Sequence, residues 1–243
     1  LVQFDGSEHD WFSGKGPVCT LLGGIDDATG EVLGLEFFPA EDTFSCLKAV
    51  HDIVAGHGVP EAFYVDQGKC FGKIYREQST TQLGRALGEL GCRMILASSP
   101  QAKGRIERLW NTLQDRLIAE LRFQNINRIP RANEFLKSEF IRSYNQKFAI
   151  TAREELLAFR KVPAESLQDI FCIKESRKIG SGNVFNFENQ MFVVQENCNL
   201  KFRTITIRRH FDFSTDYEVC GQTVLVDEAP HATRTTLLRY SAA

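Results

Sequence analysis

The sequence predicts an α/β protein followed by a smaller all-β part, and three observations carry that prediction. The first forty residues alternate short apolar runs with turn signals, the next fifty-odd alternate helical and strand periods, and from Ile170 onward only short strand-like runs remain. A chain of 243 residues with 43% hydrophobic and 25% charged side chains can bury a real core, as one large domain or two smaller ones.

The runs VQFDG, CTLLGGIDDATGE and VLGLEFF read as a three-strand meander, with the Asp26-Asp27 segment as a tight hairpin turn, not a ligand pair. Residues 42–57 change to helical spacing through Phe44, Leu47, Val50, Ile53 and Val54, and stop at Gly56 and Gly58. AFYVD at 62–66 is a short buried strand ending on Asp66, residues 79–90 a second helix, and CRMILA at 92–97 another buried strand. Ser99-Pro100 then opens a long helix as N-cap and first-turn residue, with Ile106, Leu109, Trp110, Leu113, Leu117 and Leu121 as its apolar stripe. Residues 131–148 continue helical, and the Val162-Pro163-Ala164 break marks the boundary. The expected division is a first domain over 1–150, a linker with a short helix over 151–169, a small β-barrel over 170–230 and a tail over 231–243.

Charge is unevenly spread. Residues 1–70 carry 12 acids against 3 bases, and residues 100–160 carry 7 against 12, so an acidic first part faces a basic middle although the net charge is only −2. The seven cysteines never form a C-x-x-C pair, which argues against a disulfide framework or a zinc ribbon and for reduced, mostly buried thiols. No stretch approaches 18 consecutive apolar residues, and LVQFDGSEHD lacks the basic start of a signal peptide, so a cytoplasmic protein is expected. The chain begins without Met inside a strand, from which a missing upstream segment is expected.

Three acids stand where a purely structural acid would be awkward. Asp5 lies inside an apolar strand, Asp66 ends one, and Glu107 sits beside the apolar stripe of the long helix, sharing a flank with Lys103 and Asn111 at i, i+4 spacing. If the strands of Asp5 and Asp66 are neighbours and the helix crosses them, the carboxylates converge. That costs several kcal/mol unless cations neutralise them, and hard oxygen ligands suit Mg²⁺ or Mn²⁺.

The order Asp, Asp, Glu, with the last acid in the segment SPQAKGRIER, resembles the catalytic core of DDE transposases of bacterial insertion sequences and of the retroviral integrase superfamily. Sixty residues separate Asp5 from Asp66 and forty separate Asp66 from Glu107, a second gap somewhat longer than many members keep. The resemblance covers about residues 1–150 and implies an RNase H-like core with a mixed five-stranded sheet. It implies that Asp5, Asp66 and Glu107 hold two Mg²⁺, with Mn²⁺ as substitute, and that one site both nicks a transposon end with water and joins the resulting 3′-hydroxyl to target DNA. It further implies double-stranded DNA as partner, a homodimer or larger assembly on two DNA ends, and a helix-turn-helix segment upstream of the core. A related RNase H-like nuclease, or an inactive relative that only binds DNA, stays open as an alternative.

Lys103, Arg105 and Arg108 flank Glu107 and are candidate phosphate contacts, with Gln101 and Asn111 as polar ones. On the β-like runs, Lys201, Arg203, Arg208 and Arg209 with Phe202 and Phe211 form a basic, aromatic patch for DNA or a partner subunit. His9 could touch the acid site or rest against a neighbour. Trp110 reads as core.

Overall fold

A computed structural model describes residues 1–66, 70, 81–97, 103–152 and 159–229. The chain divides into two compact units, Leu1–Phe171 and Cys172–Ala243. No helix among the described residues is long and apolar enough to cross a membrane.

The first unit is built on a five-stranded mixed sheet. Strands β1 (Val2–His9), β2 (Cys19–Asp26) and β3 (Val32–Phe38) form the expected antiparallel meander, and helix α1 (Thr43–His57) leads past the two-residue β4 (Val59–Pro60) to β5 (Ala62–Val65). Helix α2 (Gln82–Glu89) and β6 (Arg93–Leu96) follow, giving the order β3-β2-β1-β5-β6 with β1, β5 and β6 parallel. The hairpin reading of Asp26 holds: its carboxylate accepts from the Thr29 backbone N–H and hydroxyl at 3.0 and 2.8 Å.

Local signals set the helix ends. Asp42 caps α1 by accepting from the Ser45 N–H, while the Ser45 hydroxyl accepts from the Asp42 N–H. Thr81 caps α2 in the same way through the Gly84 N–H. The long helix α3 is described over Gly104–Phe123, with Lys103 as its first flanking residue. The expected opening at Ser99-Pro100, like Gln101, lies outside the described residues. Its predicted stripe is buried throughout and packs with Leu21, Leu35 and Phe37 on one face of the sheet. Each fully buried leucine there contributes roughly 1.5–3 kcal/mol of apolar transfer.

After α3 the helical stretch is α4 (Ile129–Phe135), a π-helical turn over Leu136–Phe140 and α5 (Ile141–Phe148). This stretch holds the outer edge of β3. Asn133 accepts from the Phe37 N–H at 2.7 Å and donates to the Phe37 carbonyl, and Asn145 does the same with Val32 at 2.8 and 2.9 Å. Twelve α-helical residues would set the two asparagines about 120° apart, and the one residue inserted by the π turn brings them to within about 20° of one another.

The unit runs past the expected boundary. Strand β7 (Phe159–Arg160) pairs with β4, and in helix α6 (Ala164–Ile170) Leu167 is buried, followed by a fully buried Phe171 that meets His51 of α1 edge-on. Apolar side chains after the Val162-Pro163-Ala164 break thus tie the stretch read as linker onto α1.

The second unit contains β8 (Ile173–Lys178), β9 (Val184–Phe187), β10 (Gln190–Val194), β11 (Thr204–Arg209), β12 (Thr215–Val219), β13 (Gln222–Val224) and β14 (Val226–Glu228). Its ladders make two antiparallel sheets, β14-β10-β9 and β13-β12-β11-β8, around a core of Ile179, Phe185, Phe192, Ile205, Ile207 and Val219. Among the described residues no ladder joins the two sheets into a closed barrel.

An ion-pair network braces α1 against β3 and the π turn. Lys48 and Lys137 both reach Glu36 and Asp52. Burial pushes the Asp52 carboxyl up, but hydrogen bonds from His51 and Lys48 and the charges of Lys48 and Lys137 outweigh it and hold the group well below the ordinary carboxylate range. A depressed carboxyl stabilises the fold above its unfolded pKa and loses that contribution as pH falls. Asp52→Asn should therefore cost about 1 kcal/mol in urea unfolding at neutral pH, and the deficit should shrink below about pH 4.

Candidate active site

The β1–β5 register places the two aspartates. Val2 pairs with Phe63 and Gln3 with Tyr64, and the same offset sets Asp5 level with Asp66, one residue beyond the end of β5. Residues paired across parallel strands project to the same face, so both carboxylates belong to the face that α3 covers.

Polar contacts fix the start of α3 on β1. The Gln3 side chain is buried, and its Oε1 accepts from the Ile106 N–H at 3.1 Å, satisfying a first-turn donor that a helix start otherwise leaves open. Its amide nitrogen donates to Asp27 at 2.8 Å. One turn further along, the Trp110 indole Nε1 donates to Asp5 Oδ2 at 3.3 Å, and at the helix start Lys103 Nζ stands 2.9 Å from Asp5 Oδ1. Glu107 lies four residues after Lys103 and three before Trp110, so both neighbours on its flank touch Asp5. The carboxylates of Asp66 and Glu107 are exposed.

Glycine makes the close approach possible. Gly23 is the β2 partner of Asp5, and a Cβ there would meet the Trp110 ring at 2.9 Å and Leu35 at 2.6 Å. The ring lies over bare backbone.

A fourth acid, Glu41, was not singled out from the sequence. A Cβ at Gly6 would stand 2.5 Å from its Oε2, which brings the carboxylate against β1 one residue from Asp5. Burial raises its carboxyl above the ordinary range, Asp5 and Asp66 raise it further, and Lys103 opposes them. The signal available was slight: an acid immediately before the Asp42 cap. Glu41 also groups with the buried thiols of Cys46 and Cys70, their ligand atoms all within 4.8 Å of one another. Asp5, Asp66 and Glu107 do not close to that spacing. Contact with Cys70, then burial, pushes the Cys46 thiol far up, which keeps it protonated. No disulfide links the seven cysteines, and five of them are buried.

The cations named from sequence fall into distinct settings. Lys103 is buried at the acids. Arg105 is half-exposed and pairs with Asp27 at 3.3 Å, whereas Arg108 and Asn111 are exposed beside Glu107. In the second unit Lys201 and Arg203 are exposed, with Lys201 over the Phe202 ring. Arg208 is taken up by Asp216 and Glu218, and Arg209 by Glu175 and Glu188, so neither presents a bare charge. Phe202 is exposed. His9 rests edge-on against Trp11, and Trp110 is core as expected, with its indole N–H serving Asp5.

No family model matches the chain. It is 42% identical over 203 residues to the "Putative transposase y4bF" of Sinorhizobium fredii, a match covering 81% of this chain and 44% of that protein. It is 35% identical over 204 residues to the "Transposase for insertion sequence IS1202" of Streptococcus pneumoniae, covering 81% and 43%. Among solved structures, a chain of the simian T-cell lymphotropic virus intasome in complex with the PP2A regulatory subunit B56 gamma aligns with a TM-score of 0.50 at 11% identity, over 95% of this chain and 79% of that one. The catalytic core domain of BIV integrase aligns with a TM-score of 0.46 at 19% identity, over 65% and 88%.

The fold is thus one shared with a retroviral intasome chain. By sequence the chain is similar to a putative transposase and to an insertion-sequence transposase, and it spans less than half the length of the curated relatives it matches.

The Gln3 contacts give a direct test of how α3 is held. Gln3→Met keeps the side-chain length and removes both hydrogen bonds. It should cost about 1–3 kcal/mol, because the Ile106 N–H is left buried and unpaired. Amide hydrogen exchange should show lost protection concentrated in the first turns of α3, with β2 and β3 unchanged.

Proposed function

We propose that this chain is the catalytic part of a DDE transposase, which nicks transposon ends and joins the 3′-hydroxyl so formed to target DNA. The observation that carries this reading is the β1–β5 register, which carried on brings Asp5 level with Asp66 beneath the helix that holds Glu107, in a chain similar to an insertion-sequence transposase. The first unit is the catalytic domain, and the barrel-like pair of sheets in the second is an accessory module.

The donor set is all oxygen and suits a hard divalent cation. A buried ammonium lies against Asp5, which supports a site that draws positive charge. Asp5, Asp66 and Glu107 are the residues that would hold two Mg²⁺, or Mn²⁺ in their place, and the chemistry these ions supply is activation of the attacking oxygen and stabilisation of the leaving one. The protein's own part is positioning. Trp110 fixes one oxygen of Asp5, the end of β5 fixes the backbone of Asp66, and a helix pinned at Gln3 carries Glu107. Water attacks the end phosphodiester first. The released 3′-hydroxyl then attacks the target, and because both steps are in-line displacements at phosphorus, one arrangement serves both.

Double-stranded DNA is the substrate. Arg108 and Asn111 stand on α3 beside Glu107, where phosphates would pass, with Arg105 on another side of the helix at Asp27, and Lys201 and Arg203 offer further charge on the second unit. Two ends must be joined together, so the working form is a homodimer or larger assembly on DNA, acting in the cytoplasm at the nucleoid.

The test is joining of a pre-nicked end oligonucleotide to plasmid DNA in Mn²⁺. Asp66→Asn and Glu107→Gln should each lower this joining, and the nicking of an intact end oligonucleotide run in parallel, by more than about 10²-fold, with the folded far-UV spectrum kept. Joining that persists in both variants would remove these acids from the mechanism.

A further inference from the structure

The ammonium of Lys103 has an unusual setting. Its side chain is only 4% exposed, it stands at the N-terminal end of a 20-residue helix where positive charge is disfavoured, and its Nζ lies 2.9 Å from Asp5 Oδ1. That contact is close but badly directed. Among the described residues Nζ has no hydrogen bond of proper geometry, so a buried cation with three donors is held by charge alone. Such a group costs several kcal/mol to bury unless fixed anions stand by it, and Asp5, with Glu41 beyond it, supplies them.

The position is therefore one that the acids make favourable for any cation. Lysine is a compact charge on a flexible four-carbon stem, which can enter such a site and leave it again by rotating its own bonds. Arginine, with a rigid planar fork, could not do this as readily.

We propose that Lys103 is a built-in counter-ion of the acid cluster, exchanged for a divalent cation: metal entry displaces Nζ from Asp5 and returns the ammonium to solvent, where it can meet a DNA phosphate. The proposal rests on the reading of Asp5 and Asp66 as metal-holding residues. It has two consequences. Binding of metal and exposure of Lys103 are linked, and by reciprocity any phosphate that captures the freed ammonium tightens metal binding.

Two measurements test this. In the first, Mn²⁺ binding to the wild type, Lys103→Gln and Asp66→Asn is followed by the electron paramagnetic resonance signal of free Mn²⁺. Lys103→Gln should bind roughly tenfold more tightly than the wild type, since no ammonium has to be displaced, and Asp66→Asn should bind much more weakly. In the second, the wild type is acetylated briefly with and without saturating Mg²⁺, and modification of each lysine is read by mass spectrometry. Lys103 should become several-fold more reactive in Mg²⁺ while Lys201 stays constant. This arm needs no variant to fold.

Unchanged or weaker Mn²⁺ binding by a folded Lys103→Gln would overturn the exchange and make Lys103 a support for Asp5 instead. Continued protection of Lys103 in Mg²⁺ would overturn it as well. If the wild type binds no Mn²⁺, or Asp66→Asn binds as well as the wild type, the metal-site reading itself fails and the exchange with it. Loss of binding in Asp66→Asn with an indifferent Lys103→Gln defeats the exchange alone.

Discussion

The clasp between β1 and α3 is the constraint on which the site depends. Gln3 and Asp5 are alternate residues of one strand and so face the same way, and Ile106 and Trp110 are one turn apart on one helix. Two hydrogen bonds, from the Ile106 N–H to Gln3 and from the Trp110 indole to Asp5, match the 6–7 Å two-residue step of the strand to the turn of the helix. Glu107 rides on that match. A helix free to slide by one residue would swing its carboxylate by about 100° around the helix axis.

Much of this was legible in the sequence. The meander, the helix after it, the strand ending at Asp66 and the buried stripe of α3 all follow from period and turn chemistry, because each element buries one face against a single partner layer. The order of the three acids was legible as well. What local pattern could not supply was the lateral pairing of β1 with β5, a contact between segments about sixty residues apart, and hence the alignment of Asp5 with Asp66.

The misses share one cause. Glu41 and Gln3 take on meaning only through neighbours distant in the chain, and the bare backbone at Gly6 and Gly23 that admits Glu41 and Trp110 looks in sequence like ordinary strand glycine. Lys103 was read as a candidate phosphate contact from its place beside Glu107, and the fold sets its ammonium against Asp5. Arg208 and Arg209 were read as part of a basic, aromatic patch on β-like runs, a pattern that cannot reveal the carboxylates waiting across the ladder at Asp216 and Glu175. The boundary moved because two apolar residues, Leu167 and Phe171, outweigh a proline break.

The asparagines along β3 have a consequence for how such a molecule can associate. An edge strand normally offers a row of open N–H and C=O groups on which a second chain can polymerise. Here Asn133 and Asn145 occupy those groups at Phe37 and Val32 with side-chain amides that imitate a neighbouring strand. The sheet is finished on that side by two residues of a helix in place of another strand. A strand added at β3 would have to displace both side-chain amides, so copies of the chain gathered at high local concentration are steered to meet through side-chain surfaces instead of running on into a continuous sheet.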